Sequence, residues 1–404
     1  MKLEDYSKIV GQGTIDELKI LADRLQGKVI QNINSTGVGG GVAEILNRMI
    51  PFLRELGLDA RWDFIKGGES FFNVTKKFHN ALHGRKENIR EKDFSIFTET
   101  GKINLEQMEI YGEIVFIHDP QPIFLVEKKK DSFQKWIWRC HVDVSRPNPK
   151  IWEFLMNYIR QYNAAVFSAP AFSQQLPISQ FLISPSIDPL SEKNIDLSEE
   201  FVRGVLAKYG IERDRPIITQ ISRFDYLKDP LGVIEAYKIV KKSVDCQLIL
   251  AGGTASDDPE GIEVYNKVQE AAVEDENIHI LLLPQNDIEV NALQRGSDVI
   301  IQKSLKEGFG LTVTEALWKG KPVVASAVGG IPLQITHRYN GYLCHSIEGA
   351  AFGLKQFLNN PDYAKKLGEN GRAHVHQNFL LTRHLRDYML LFLSLYNSGD
   401  IIHL

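Results

Sequence analysis

"KVIQNINSTGVGGGVAEILNRMIPFLRELGLDARWDFI", residues 28–65, decides the fold class. Its first seven residues, "KVIQNIN", read as a strand, and "STGVGGG" follows as a loop. From there Val42, Ile45, Leu46, Met49, Leu53 and Leu56 recur at the three- and four-residue spacing of a helix with one buried face. "LGLDARWDFI" then returns as a strand. Strand, glycine loop, helix and strand in that order form the unit of a parallel sheet, because parallel neighbours need a crossover between them.

Further strands are expected at "EIVFIHD", "WIWRCHVDVS" and "AAVFSAPAF", with helical stretches between them. At residues 184–200, "SPSIDPLSEKNIDLSEE", the chain turns polar and proline-bearing, which reads as an interdomain linker. A second alternating series follows. Strand "PIITQIS" precedes helix "DPLGVIEAYKIVKK", then come strand "CQLILAGG", helix "PEGIEVYNKVQEAA" and strands "NIHILLL", "VIIQKS" and "KPVVAS". "LTRHLRDYMLLFLSLYNSGD" reads as a last helix, and its periodicity does not say which domain it joins. The expected fold class is α/β, with two strand–helix domains in tandem and ligands beyond the carboxyl ends of the strands, in the cleft between domains.

A length of 404 residues suits two or three domains, each large enough for a core of its own. The net charge of -4 offers no basic footprint, so nucleic acid is not an expected partner. "MKLEDYSKIV" carries charge where a signal peptide needs an apolar run, and "YMLLFLSLY" is too short to span a bilayer. Cys140, Cys246 and Cys344 are odd in number and scattered, with neither disulfide nor metal-type spacing. A cytoplasmic enzyme with no membrane association is expected.

"IQKSLKEGFGLTVTEALWKGKPVVASAVGG", residues 301–330, sets Glu307 and Glu315 around a glycine-rich turn. Thr312 and Glu315 fit a capping box, with Thr312 at the N-cap, and Gly320 suits the helix end. That reading leaves Glu307 unexplained. Glu307 follows a strand, where side chains face a ligand, and Gly308 and Gly310 let backbone amides approach one closely. Acids that accept hydroxyl hydrogens, beside amides that hold an anion, suit a sugar nucleotide. In "ISRFDYLKDPLG", Arg223 and Lys228 follow another strand, and Asp229 with Pro230 makes an N-cap and N1 pair. The two cations would neutralise a diphosphate without a metal; solvated surface charge is the alternative.

In the first domain "GVGGGVAEIL" is like a dinucleotide fingerprint, but Val42 stands where the third glycine belongs, and a tight turn explains the loop as well. A nicotinamide oxidoreductase would have Asp63 as its ribose acid. A non-catalytic sugar sensor is a further alternative. His118 and Asp119 end one strand, and on a strand Arg139 and His141 would share one face. Several polar groups at strand ends make a better site than one histidine.

The combination of "SRFDYLKDP", "EGFGLTVTEA" and "GVGGGVAE" resembles the family-four retaining glycosyltransferases of GT-B type, over nearly the whole chain. "FFNVTKKFHNALHG", "IHDPQP" and "WRCHVDVS" resemble those members that are trehalose glycosyltransferring synthases, and retaining trehalose phosphorylases share these segments. The resemblance implies two Rossmann-like doubly wound domains facing across a cleft. Residues 1–205, with the helix 385–404 packed back on them, would bind the acceptor, and 206–384 the nucleotide sugar. It implies a hexosyltransferase joining glucose from a nucleoside diphosphate glucose to free glucose as trehalose. The alternatives are a phosphorylase or another acceptor such as glucose 6-phosphate.

By the same resemblance Arg223 and Lys228 hold the donor diphosphate, and Glu307 binds donor-sugar hydroxyls beside the amides of Gly308, Phe309, Gly310 and Leu311. Thr312 also lies at the donor, and Glu315 binds the ribose. Gly40 and Gly41 lie near the phosphates and His141 beside the reacting sugar. The acceptor is assigned to His118, Asp119, His79 and Asn80, on hydroxyl-binding chemistry, while Lys76, Lys77, Arg85 and Lys86 read as solvated charge. No cofactor is expected, with Mg2+ at most a non-essential activator. The nucleobase is placed near "LLLPQND", residues 281–287, and a homodimer fits the related synthases.

Overall fold

The computed structural model describes residues 2–37, 40–129, 133–253, 259–283 and 286–396. The chain divides into two compact units, Met1–Pro185 with Leu381–Leu404, and Ser186–Leu380. Sequence placed the division at 205/206 and the return of the closing helix at 385. Residues 397–404 of that expected helix lie outside the described residues.

The first unit carries strands β1 Val29–Asn34, β2 Asp59–Phe64, β3 Ile114–His118, β4 Lys135–Cys140, β5 Ala164–Phe167 and β6 Ser179–Leu182. They form one sheet in the order β2-β1-β3-β4-β5-β6, parallel throughout. Central β3 and β5 are buried along their whole length, while edge strands β2 and β6 are not, as helices on both faces of a parallel sheet require. The chain reverses its direction of travel between β1 and β3, so their carboxyl ends flank the switch point where such sheets bind ligands.

β4 stops at Cys140, short of the "WIWRCHVDVS" expected from sequence. Beyond it, backbone amides turn to side chains: His141 N donates to Asp119 Oδ1 at 2.8 Å and Ser145 N to Asp143 Oδ1 at 2.9 Å. The helix Leu381–Tyr396 belongs to this unit. Tyr388 and Phe392 set their rings edge-on to Phe116 of β3, and Arg386 Nε donates to Glu17 at 2.7 Å.

The second unit carries β7 Ile217–Ile221, β8 Gln247–Gly252, β9 Ile278–Leu282, β10 Val299–Gln302, β11 Val323–Ser326 and β12 Tyr342–Cys344. The order is β12-β11-β10-β7-β8-β9, again parallel, with its switch point between β7 and β10. Strand period two sorts its apolar side chains into two cores. Ile218, Leu248 and Leu250 join Val233, Tyr237 and Leu354 on one face. Ile217, Ile249 and Ala251 join Val202, Leu206 and Leu293 on the other.

The segment expected as an interdomain linker is packed into the second unit: Ser186, Asp188, Ser191 and Asn194 are all buried. Their polarity is spent inward. Asp188 Oδ1 accepts from Leu190 N, Asn194 Nδ2 donates to Asp188 O, and Asn291 Nδ2 donates to the carbonyls of Glu192 and Ile195. Polar composition alone does not distinguish such a satisfied segment from a solvated one.

Candidate active site

At the switch point of the second unit, two loops meet. After β7, Asp225 Oδ1 accepts from Leu227 N at 2.7 Å and closes the single turn Tyr226–Lys228. Asp229 follows in the left-handed region at φ +50° and caps the helix Pro230–Lys241 through Gly232 N at 3.1 Å, as the Asp-Pro pair predicts. Its second oxygen meets the ammonium of Lys303. After β10, Glu307 is 7% exposed. Lys228 Nζ lies 2.7 Å from both its oxygens, and Ser304 Oγ donates to Oε2 at 3.0 Å. The loops are also tied through backbone, Leu305 N donating to Leu227 O at 2.8 Å. A charge pair this enclosed persists only when such further hydrogen bonds satisfy it. Arg223 stands apart with 63% of its side chain exposed, 3.7 Å from Asp225.

The glycine turn differs from its expected capping. Gly310, at φ +87°, is the N-cap of the helix Leu311–Trp318, and no side chain caps it. Thr312 is therefore the second helical residue, its hydroxyl 3.4 Å from Gln302 Oε1, and Glu315 lies a turn inside, 3% exposed. The capping box does not form, because glycine's left-handed conformation starts the helix two residues early. Gly320, at φ +69°, ends it as expected. Lys319 is buried beside Glu315; burial lowers its ammonium to about 7, with the Glu315 charge opposing. Gly308 and Leu311 are partly exposed, so the turn's first amides border solvent, whereas the Phe309 ring packs on Phe379 and its carbonyl accepts from Gln334.

Two glycines not singled out from sequence hold this turn. A Cβ on Gly329 would stand 1.7 Å from Glu307 O, and one on Gly330 2.6 Å from the Phe309 ring. Their only sequence signal is the pair "GG" after β11.

In the first unit the ends of β1, β3 and β4 gather His118, Asp119, Arg139 and His141. His118 is 1% exposed, with Nε2 3.1 Å from Asn32 Oδ1 and Nδ1 3.3 Å from His141 Nε2. The two imidazoles stack at 5.6 Å between centroids. Both His118 nitrogens are thus engaged within the fold, and it supports His141 rather than offering a nitrogen to a ligand. Asp119, at φ +67°, accepts His141 N on its carboxylate and Trp138 Nε1 on its carbonyl.

Burial, then the Arg139 charge, lowers His118 to about 3. The same two causes, followed by His118 and His384, hold His141 well below the ordinary imidazole value. Burial raises Asp119 to about 6 against the His141 amide and Arg139. Arg139 itself is fully buried, with Nη2 3.2 Å from Ser168 Oγ and no hydrogen-bond partner for Nε or Nη1 among the described residues. Asn32 and His384 escaped the sequence reading. The signal for Asn32 was present: Gln31, Asn32 and Asn34 put three amides into a strand that should be apolar.

The remaining expected positions lie elsewhere. Gly40 and Gly41 open the helix Gly40–Glu55, and Val38 and Gly39 of their loop lie outside the described residues. His79 and Asn80 sit on the helix Glu69–Leu82 and meet local partners: His79 packs on the His83 ring, and Asn80 Nδ2 donates to Glu87 at 2.9 Å. Lys77 is paired with Asp93 at 3.0 Å. Asp63, the ribose acid of the oxidoreductase alternative, accepts from Tyr111 OH and Gln31 Nε2 within the fold. In the expected nucleobase segment Pro284 and Gln285 lie outside the described residues, and Asn286 caps the next helix through Glu289 N. Among the described residues no group of three or more His, Cys, Asp or Glu could hold a metal, and no helix is long and apolar enough to cross a membrane.

Residues 32–174 match the family model of the trehalose synthase N-terminal domain, and residues 205–374 that of glycosyl transferases group 1. The chain is 43% identical to a trehalose synthase of Thermococcus litoralis, across 96% of each chain. It is 44% identical to one of Rubrobacter xylanophilus, across 97% of each. A trehalose phosphorylase of Grifola frondosa is 29% identical, across 92% of this chain and 58% of its own length. Among solved structures, the trehalose-6-phosphate synthase OtsA superposes with TM-score 0.74 at 11% identity, covering 92% of this chain and 99% of its own. A sucrose-phosphate synthase of Thermosynechococcus elongatus does so with TM-score 0.71 at 17% identity, over 92% and 100%. At such identities the likeness concerns the fold, which is GT-B.

Proposed function

The chain belongs to the trehalose synthase family of group 1 glycosyltransferases, and from that premise we propose a retaining glucosyltransferase that joins glucose from a nucleoside diphosphate glucose to free glucose, giving trehalose. The observation that carries the proposal is the Lys228–Glu307 knot at the β7/β10 switch point, where an open parallel sheet takes its nucleotide.

The chemistry follows from that arrangement. As the bond from the sugar C1 to the diphosphate oxygen breaks, negative charge grows on the leaving group. Lys228, Arg223 and the first amides of the helix Leu311–Trp318 are the groups that would meet it, and charge stabilisation prepared in advance is usually the largest catalytic contribution. Glu307 is a poor nucleophile, since its charge is already committed to Lys228 and one oxygen to Ser304. The double-displacement route of retaining glycosidases is therefore unsuited to it. Instead the acceptor oxygen bonds to C1 from the face the diphosphate leaves, and its proton passes to the departing phosphate oxygen. Glu307 positions donor hydroxyls, and Glu315 the ribose. Within the first unit, His141 and Asp119 are the groups assigned to a sugar. The counter-charges are side chains and amides, so the reaction needs no metal.

A panel of ADP-, UDP- and GDP-glucose, each offered with glucose, tests this by scoring a non-reducing disaccharide with and without EDTA. Product with glucose in EDTA is expected. Preferred transfer to glucose 6-phosphate would overturn the acceptor assignment. Phosphate-dependent cleavage of trehalose, with no nucleotide-dependent synthesis, would replace the proposal by the phosphorylase reading that the Grifola frondosa relative represents.

A further inference from the structure

The histidine pair holds more information than its distances alone, because each proton in it can be placed. Asn32 Nδ2 lies 3.3 Å from Arg61 O and its Oδ1 3.1 Å from His118 Nε2. Turning the amide over would set its oxygen against the Arg61 carbonyl, two acceptors without a proton between them, so the orientation is fixed. An amide oxygen only accepts. His118 Nε2 therefore carries a proton and donates it to Asn32. Burial and the neighbouring Arg139 charge keep His118 neutral, which leaves Nδ1 bare. His141 Nε2, 3.3 Å away, must then donate to that nitrogen. In a neutral His141 the remaining nitrogen, Nδ1, is an acceptor.

We propose that Asn32 is a positioning residue which, through His118, fixes His141 as the Nε2–H tautomer, so that His141 Nδ1 accepts a hydrogen bond from a sugar hydroxyl. The identity of the ligand as a sugar rests on the glucosyltransferase reading; the proton arrangement does not. The ligand class is narrow. A hydroxyl can donate to a bare imidazole nitrogen, whereas a phosphate or carboxylate oxygen would be repelled by its lone pair. The charged and titratable groups around the pair are Arg139 of β4, Asp119 at the end of β3, and Arg383, His384 and Tyr388 of the closing helix. None of these is an acceptor placed on His118 Nε2, which leaves Asn32 to set the tautomer.

The test is a long-range proton–nitrogen correlation spectrum of the protein labelled with 15N-histidine, without substrate near neutral pH. His118 and His141 should both carry their proton on Nε2 alone. Asn32→Asp supplies a carboxylate that favours the doubly protonated His118; His118 Nδ1 then donates to His141 and moves the His141 proton to Nδ1. In that variant kcat should fall at least about tenfold with a smaller change in the donor KM, as expected when a contact to the reacting sugar is lost, and should recover as rising pH returns His118 to neutrality. A proton on His141 Nδ1 in the unsubstituted protein overturns the proposal, and that spectrum decides even if Asn32→Asp does not fold. An Asn32→Asp protein with unchanged proton positions and an unchanged pH profile also overturns it. A protein with the expected spectrum that makes no trehalose removes the function and leaves the relay standing.

Discussion

Lys228 Nζ lies 2.7 Å from both carboxylate oxygens of Glu307, joining the loops that leave β7 and β10. The pair is a prepared electrostatic element, and its two halves can be separated by substitution.

Glu307→Gln keeps the shape and removes the charge. Loss of a charged hydrogen bond to the donor sugar costs roughly 1.5–3 kcal/mol, or about ten- to a hundredfold in kcat. Affinity for the nucleoside diphosphate should stay within about threefold, since the ammonium of Lys228 remains. Unchanged kcat would remove Glu307 from the sugar site.

Arg223→Ala and Lys228→Ala should part company in stability while agreeing in activity. Arg223 is largely exposed, so its truncation should change the unfolding free energy from a urea titration by no more than about 0.5 kcal/mol. Lys228→Ala strands the buried Glu307 carboxylate and should destabilise by about 1–3 kcal/mol. Both should slow transfer by more than they weaken binding of a nucleoside without phosphates. Normal turnover in both variants would end the diphosphate assignment.

Thr312→Ala and Ser346→Ala test the helix starts. Ser346 caps its helix through Gly349 N at 3.1 Å and should cost about 1 kcal/mol. Thr312 caps nothing and should cost less than about 0.5 kcal/mol in the same urea titration. Equal losses would restore the capping box.

Gly329→Ala should cost at least about 3 kcal/mol, because it combines φ +57° with a Cβ 1.7 Å from the Glu307 carbonyl. Gly27→Ala is the control: φ +78° with nothing within 4 Å of the added carbon, and about 1–2 kcal/mol for the backbone alone. Similar midpoints for the two would show that the Glu307 turn tolerates displacement.

Acid should unfold the protein early. His118, His141 and His384 are all held below the ordinary value of 6.5 in the folded state, so the unfolded chain binds more protons. Their contribution is fully present above pH 6.5 and declines as pH falls through it, at up to about 4 kcal/mol per pH unit for three groups. Asp119 works the other way. Raised to about 6, it takes a proton in the folded state first and offsets one of the three between pH 6 and its ordinary 3.8, leaving a net slope of roughly 3 kcal/mol per unit. A urea midpoint that does not fall between pH 7 and pH 5 would contradict this.

Much of this molecule was legible in its sequence because strand and helix periods are set by burial. The helix Pro259–Ala272 and the Asp229–Pro230 start stand where the pattern puts them. Edge strands β6 and β12 went unseen, since short, half-exposed runs such as "SQFL" and "YLC" carry no period. Asp188 and Asn194 misled because satisfied buried polar residues look like solvated ones. Thr312 misled because a motif of spacing cannot register the left-handed backbone of Gly310, which moved the helix start. At the candidate site the acids and cations announced themselves by type. Asn32, Gly329 and His384 did not, because their roles depend on what long-range folding sets beside them.

The closing helix Leu381–Tyr396 has a consequence for the order in which this protein is made. Its Tyr388 and Phe392 cover Phe116, and its His384 joins the histidines at the ends of β3 and β4. Those residues leave the ribosome only after all of Ser186–Leu380 has been synthesised. The second unit, continuous in sequence, can complete its sheet during translation. The first unit begins before the second and is finished after it, and until residue 381 onward arrives it waits with part of its apolar surface uncovered, the condition in which a partly folded chain is most exposed to association with other molecules.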